Sequence, residues 1–98
     1  MPVFAVRHDY VAGSEALRGI WRDQHLEFLE TLYQSGTLPL CGRLDRAGDA
    51  VGALLVVTCD SAAEVARVLS DDPYTLNGIV CRQEIVTWNI VLGAATLA

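Results

Sequence analysis

His25 interrupts an otherwise regular pattern of apolar residues. The stretch WRDQHLEFLETLYQSG, residues 21–36, has the spacing of an amphipathic helix. At about 100° per residue, His25 falls near the middle of its apolar arc, so the ring should face the sheet. An imidazole changes charge near neutral pH and can transfer protons there. The alternative is a core histidine that binds a backbone carbonyl, and a carboxylate close to the ring would favour the chemical role.

Asp72 is the candidate carboxylate. It precedes Pro73, so its simplest role is to cap a short helical turn with proline at the first position. A carboxylate that accepts a hydrogen bond from an imidazole sets the tautomer and basicity of the ring, as general acid–base catalysis requires. We expect the end of the second helix to pass near one end of the first, which would let Asp72 reach His25.

The elements that must position these residues follow the order βαββαβ. Strands are predicted at residues 3–10, 38–44, 53–59 and 79–91, with a turn over 45–52 and a helix-terminating segment over 71–78. The first helix is predicted from Ser14 to Ser35, followed by Gly36, and the S-x-x-E pair Ser61 and Glu64 opens the second. This order is typical of a ferredoxin-like α+β fold, an antiparallel sheet with both helices on one face.

Composition limits the class of protein and its partners. The 98 residues form one domain, residues 1–98, and 52% of them are hydrophobic. We therefore expect a homodimer, in which a second copy covers the free face of the sheet. A net charge of −5 argues against a nucleic-acid partner. The chain shows no secretory signal and no apolar run of membrane-spanning length, so we expect a soluble cytoplasmic protein that does not bind a membrane.

The three cysteines predict neither a disulfide framework nor a metal site. Cys41, Cys59 and Cys81 are widely spaced and form no CxxC pair. Each lies in or beside a strand-like run, so we expect small buried apolar residues. The sequence also lacks a carboxylate–histidine metal cluster and a glycine-rich phosphate loop. We therefore expect no metal and no cofactor.

Several short motifs, in this order and spacing, resemble the YCII-related (YciI-like) domain family across residues 3 to 91. They are R-x-x-H-L at Arg22, His25 and Leu26, the strand-end glycine Gly42, the strand GALLVV, D-P-Y at residues 72–74, Gly78, and a last strand ending in Trp88. The resemblance implies a dimeric α+β barrel with a His–Asp active-site pair, carried by position to His25 and Asp72. Arg43 departs from the family, which often has proline there.

The leading hypothesis is a cofactor-independent enzyme with lyase-, isomerase- or hydrolase-type acid–base chemistry on a small carbonyl-bearing or aromatic molecule. His25 would be the base or acid, and Asp72 would orient it. Arg22 could bind an anionic substrate group, or it could extend to solvent from the helix flank. Tyr74, His8 and Gly42 are candidates for the walls of the site. Two alternatives stay open: a non-catalytic ligand-binding or accessory dimeric module, and a cofactor-free oxygenase.

Overall fold

A computed structural model describes residues 1–97, which form one four-stranded antiparallel sheet and three α-helices. The strands are β1 (Val3–Tyr10), β2 (Leu40–Arg46), β3 (Asp49–Thr58) and β4 (Val80–Thr87); the helices are α1 (Glu15–Gln34), α2 (Ala62–Leu69) and α3 (Pro73–Leu76). The strand order β2-β3-β1-β4 is ferredoxin-like, which confirms the predicted α+β fold. Within this part of the chain, no helix is long and apolar enough to cross a membrane.

The core lies between the sheet and the helices. Phe4 and Val6 of β1 lie opposite Val57 and Leu55 of β3, and all four side chains are buried. Helix α1 packs against this cluster with half-buried residues, among them Phe28. The centre of the predicted apolar arc is confirmed, since His25 is the buried residue of α1. The same helical periodicity predicts that Ile20 also belongs to this apolar arc, but Ile20 is 67% exposed, so the prediction is wrong at that flank.

The turn predicted over residues 45–52 is much shorter. Strands β2 and β3 continue to Arg46 and from Asp49, so only Ala47 and Gly48 form the turn. Both have positive φ, 53° and 87°, the geometry that matches the twist of a two-residue hairpin. The glycine and aspartate signals therefore marked one tight turn, and the residues around it pair across the hairpin.

Burial of the cysteines differs from the prediction at two of three positions. Cys59 is buried, but Cys41 and Cys81 are exposed. Both exposed thiols lie in β2 and β4, the edge strands of the sheet, where a neighbouring strand is present on one side only. Strand β4 also ends at Thr87 rather than at residue 91, and Thr87 forms its last pairing, with Phe4 of β1.

The sheet face opposite the helices carries large apolar side chains. Leu54 alternates with the buried Leu55, so it points away from the helices. The register places Leu40 and Val86 on the same face, and these three side chains are 39–55% exposed. One layer of helices therefore leaves this part of the sheet open.

Candidate active site

His25 and Asp72 meet although 47 residues separate them in the chain. The His25 Nδ1 atom lies 2.7 Å from Asp72 Oδ1. Asp72 is fully buried at the N-cap of α3, and the same Oδ1 accepts a hydrogen bond of 2.9 Å from the Tyr74 backbone N–H. Asp72 therefore caps the short helix and contacts the imidazole at once, so the two roles considered from the sequence do not exclude each other.

The contact determines which nitrogen of His25 is available for chemistry. When Asp72 is ionised, its oxygens only accept hydrogen bonds, so Nδ1 of His25 is the donor and, in the neutral ring, Nε2 keeps its lone pair. The structure shows no hydrogen bond to Nε2 from residues 1–97, and this atom is not enclosed by protein. His25 lines a cavity of about 270 Å³. The ring can therefore accept a proton from a molecule held there.

Tyr74 supports the imidazole from its face. The two rings are parallel, with centroids 3.7 Å apart. The Tyr74 hydroxyl donates to the Arg18 carbonyl oxygen at 3.2 Å, which links α3 back to α1. Burial raises the pKa of Tyr74, and the charges of Arg22 and Arg18 only partly oppose this effect. The hydroxyl therefore stays protonated near neutral pH.

His8 forms part of the cavity wall on β1. Its side chain is 2% exposed, and its Nε2 lies 2.7 Å from Gln83 Oε1 on β4. Burial lowers the pKa of His8, although the hydrogen bond to Gln83 and the charge of Asp72 favour the protonated ring. His8 is therefore a neutral imidazole at pH 7 and carries no positive charge that would attract an anion.

The predicted site residues occupy different positions around the cavity. Arg22, His25 and Tyr74 line it, together with His8 and Gly42, while Asp72 lies behind the His25 ring. Gly42 lies inside β2 rather than at a strand end, which corrects the description from the sequence. A Cβ at Gly42 would meet no atom within 4 Å, so close packing does not require glycine there.

Sequence reasoning omitted several residues of the cavity, notably Tyr10, Arg18 and Cys41. Tyr10 packs edge-on against Tyr74, with centroids 5.8 Å apart, and the Arg18 guanidinium lies 5.1 Å from the Tyr10 ring centroid. Tyr10 follows His8 at the two-residue spacing of one strand face, and Arg18 precedes Arg22 by one helical turn. These two spacings could have identified Tyr10 and Arg18 from the sequence. Cys41 offered no such signal; its side chain is exposed, but partial desolvation of the thiol still raises its pKa.

A second, larger groove of about 980 Å³ adjoins the mouth of this cavity. It shares Tyr10, Arg18, Arg22 and Arg43 with the cavity, so the two spaces are continuous.

Across residues 1–97, no group of three or more histidine, cysteine or acidic side chains could hold a metal ion.

Comparison with known proteins identifies the family and one informative relative. The model of the YCII-related domain family matches residues 3–89. The 5-chloro-2-hydroxyhydroquinone dehydrochlorinase from Burkholderia phenoliruptrix, solved in complex with 2,5-dihydroxybenzoquinone, is 25% identical with a TM-score of 0.79. The alignment covers 89% of this chain and 93% of that one. None of the curated proteins matches this sequence.

More distant structures share the fold alone. Protein Atu4242 from Agrobacterium tumefaciens is 13% identical with a TM-score of 0.57, over 94% of this chain and 95% of that one. An antibiotic biosynthesis monooxygenase is 11% identical with a TM-score of 0.57, over 93% of this chain and 99% of that one.

Proposed function

The chain belongs to the YCII-related domain family, and we propose that it is a small enzyme moving protons on a hydroxylated aromatic or carbonyl-bearing molecule. His25 acts as the base and then the acid, while Asp72 orients its ring. The observation that carries this proposal is the 2.7 Å contact of His25 Nδ1 with Asp72, together with a cavity that His25 lines. Proton transfer needs no electron acceptor, so the proposal includes no cofactor.

The dehydrochlorinase supports an elimination as the reaction type. In such a step, His25 Nε2 removes a proton from the substrate, the electron pair of the broken bond forms a new double bond, and chloride leaves with its bonding electrons. The same first step followed by return of the proton elsewhere would be an isomerisation. Both reactions need one base beside a bound ring, which is what the proposed role of His25 supplies.

The size and charge of the site favour a single-ring substrate. A cavity of about 270 Å³ lies just below the usual range for ligand pockets. Removing a proton next to a carbonyl or phenol moves negative charge onto oxygen, and guanidinium donors stabilise such charge. Arg18 and Arg22 line the cavity and are the candidates for this role. The monooxygenase shares only the fold and gives an oxygenase no support.

The open sheet face supports a homodimer as part of this proposal. Leu40, Leu54 and Val86 are 55%, 39% and 50% exposed on one surface, and apolar clusters of this kind usually mark an interface. A second copy placed face to face would cover them. The unpaired state of the three cysteines fits a reducing cytoplasm, which we retain as the proposed location.

The proposal is tested by proton transfer on defined compounds. The protein is mixed with 5-chloro-2-hydroxyhydroquinone while chloride release is followed. Exchange of the ring hydrogens of 2,5-dihydroxybenzoquinone into deuterated water is followed by NMR. His25→Asn should lower either rate by about 10²–10⁴-fold, the usual effect of losing a general acid or base. Glu30→Gln, an exposed change on the same helix, should have no effect.

If the wild-type protein is no faster than His25→Asn in both assays, the enzyme proposal is contradicted. Binding of 2,5-dihydroxybenzoquinone without either reaction would then identify a non-catalytic ligand-binding module.

A further inference from the structure

Arginines gather at one end of the sheet, beside the cavity that His25 lines. The chain contains seven Lys and Arg residues in total and carries a net charge of −5. Five arginines nevertheless line the continuous groove at the cavity mouth: Arg7, Arg18, Arg22, Arg43 and Arg46. The acidic residues of that groove are Asp9, Glu15 and Asp49. The local charge is therefore opposite in sign to that of the whole protein.

The arginines of the groove differ in the partners they already have. Arg7 Nε donates to Asp9 at 3.0 Å, and Arg43 donates to both carboxylate oxygens of Asp45 at 2.7 and 3.2 Å. Within residues 1–97, Arg22 forms no ion pair with a carboxylate. Arg18 forms none there either, and it donates to Ser14 Oγ at 3.2 Å. Arg46 likewise forms no ion pair within residues 1–97, but it does not line the cavity, so Arg22 is the arginine that combines free donors with a place beside His25.

Arg22 also occupies the junction between the two spaces. It lines both the cavity and the groove, and it lies three residues before His25 on α1. Residues at this spacing lie about 5–6 Å apart on one face of a helix. A group bound by Arg22 can therefore be directly attached to a ring that faces His25.

We propose that the substrate is a single-ring carboxylate, with its carboxylate bound by Arg22 at the cavity mouth and its ring beside His25. The planar fork of a guanidinium matches a carboxylate with two parallel hydrogen bonds. One guanidinium balances one negative charge, and Arg7 and Arg43 are already paired with Asp9 and Asp45, so Arg22 at the cavity mouth favours a singly charged group over a phosphate. This inference rests on the proposed function and adds the substrate class to it.

The test compares 2,5-dihydroxybenzoate with its uncharged amide, 2,5-dihydroxybenzamide, by calorimetry or by NMR titration. The wild-type protein should bind the carboxylate about tenfold more tightly than the amide, the scale of a hydrogen bond between charged groups. Arg22→Gln should abolish this preference while leaving amide binding unchanged. Arg67→Gln is the matched control, because Arg67 is an exposed residue of α2 that pairs with Glu64.

Equal binding of the carboxylate and the amide would overturn the inference, as would a preference that persists in Arg22→Gln. Displacement of the carboxylate by an equal concentration of inorganic phosphate would overturn the assignment to a singly charged group. Circular dichroism of Arg22→Gln checks that the fold is intact, which its exposed position favours.

The enzyme proposal and the carboxylate-site proposal can be contradicted independently of each other. His25-dependent reaction of the uncharged hydroquinone without any carboxylate preference would remove the carboxylate subsite and leave the enzyme proposal standing. Carboxylate preference without any His25-dependent proton transfer would retain the subsite as a binding site and remove the catalytic role.

Discussion

The imidazole of His25 lies parallel to the phenol ring of Tyr74, with the ring centroids 3.7 Å apart. The edge of the same imidazole contacts Asp72, whose Oδ1 also binds the Tyr74 backbone N–H. The segment 72–74 therefore holds the imidazole by its edge and by its face. Such double support restricts the ring to one orientation, which a proton-transfer site requires.

The two roles of Asp72 can be separated by two substitutions. Asp72→Asn keeps an oxygen that caps α3, so its melting temperature should stay close to that of the wild type. Asp72→Ala loses the cap, so its free energy of unfolding should be about 1 kcal/mol lower than that of Asp72→Asn. Activity should fall by about 10²–10⁴-fold in both, because neither side chain carries the negative charge that stabilises the imidazolium formed when His25 accepts a proton. A full rate in Asp72→Asn would show that the carboxylate does not orient the base.

His8 should make the protein sensitive to mild acid. Its pKa is lowered from 6.5 in the folded state, chiefly by burial, so the unfolded chain binds a proton first as the pH falls. The stabilisation is complete above pH 6.5 and is lost between 6.5 and the lower folded-state pKa. The loss is at most about 1.4 kcal/mol per pH unit for one proton.

Urea unfolding at about pH 7.5 and about pH 5 measures this effect. His8→Leu should lose less free energy of unfolding than the wild type between these two values. His25 is present in both proteins, so comparing them isolates His8. Identical pH dependence in the two proteins would contradict the prediction.

Gly52 should be irreplaceable for a steric reason. A Cβ at this position would lie 2.0 Å from the His8 carbonyl oxygen, and that oxygen belongs to the backbone of the neighbouring strand. Gly52→Ala should therefore force the β1–β3 pair apart and destabilise the fold by roughly 3 kcal/mol or more. Gly42→Ala is the control, because a Cβ there meets nothing within 4 Å. Urea unfolding measures the free energy of unfolding of both variants. Similar losses in Gly52→Ala and Gly42→Ala would contradict this prediction.

The apolar sheet face opposite the helices predicts that the protein is a dimer in solution. Light scattering at micromolar concentration should give twice the mass of one chain. Leu54→Glu places a charge on the apolar face and should yield a monomer. Ile20→Glu should stay dimeric, since Ile20 lies on α1 and is already 67% exposed. A monomeric wild-type protein, or a dimer that survives Leu54→Glu, would remove the face-to-face arrangement.

Features that depend on neighbouring residues in the chain were predictable from sequence. Ser61 Oγ accepts from the Glu64 N–H at 3.2 Å, as the S-x-x-E motif indicates. Gly36 follows α1 with a φ of 82°, the conformation for which glycine is favoured at that position. Ser14 occupies its predicted N-cap position but makes no cap bond, since its backbone, with φ −82° and ψ 6°, is not in the extended conformation usual for an N-cap; its hydroxyl accepts from Arg18 Nε. These signals act within about four residues, so a linear reading captures most of them.

The site itself was only partly contained in the sequence. Helical periodicity determined that His25 faces the core, and the Asp-Pro pair determined that Asp72 caps a helix. Only the packing of α3 against α1 decided that the two side chains meet across 47 residues. Packing also decided that Tyr74 covers the ring and that five arginines gather at one groove. The physical reason is that periodicity and capping involve nearby residues, whereas contacts between distant segments depend on how the whole core is filled.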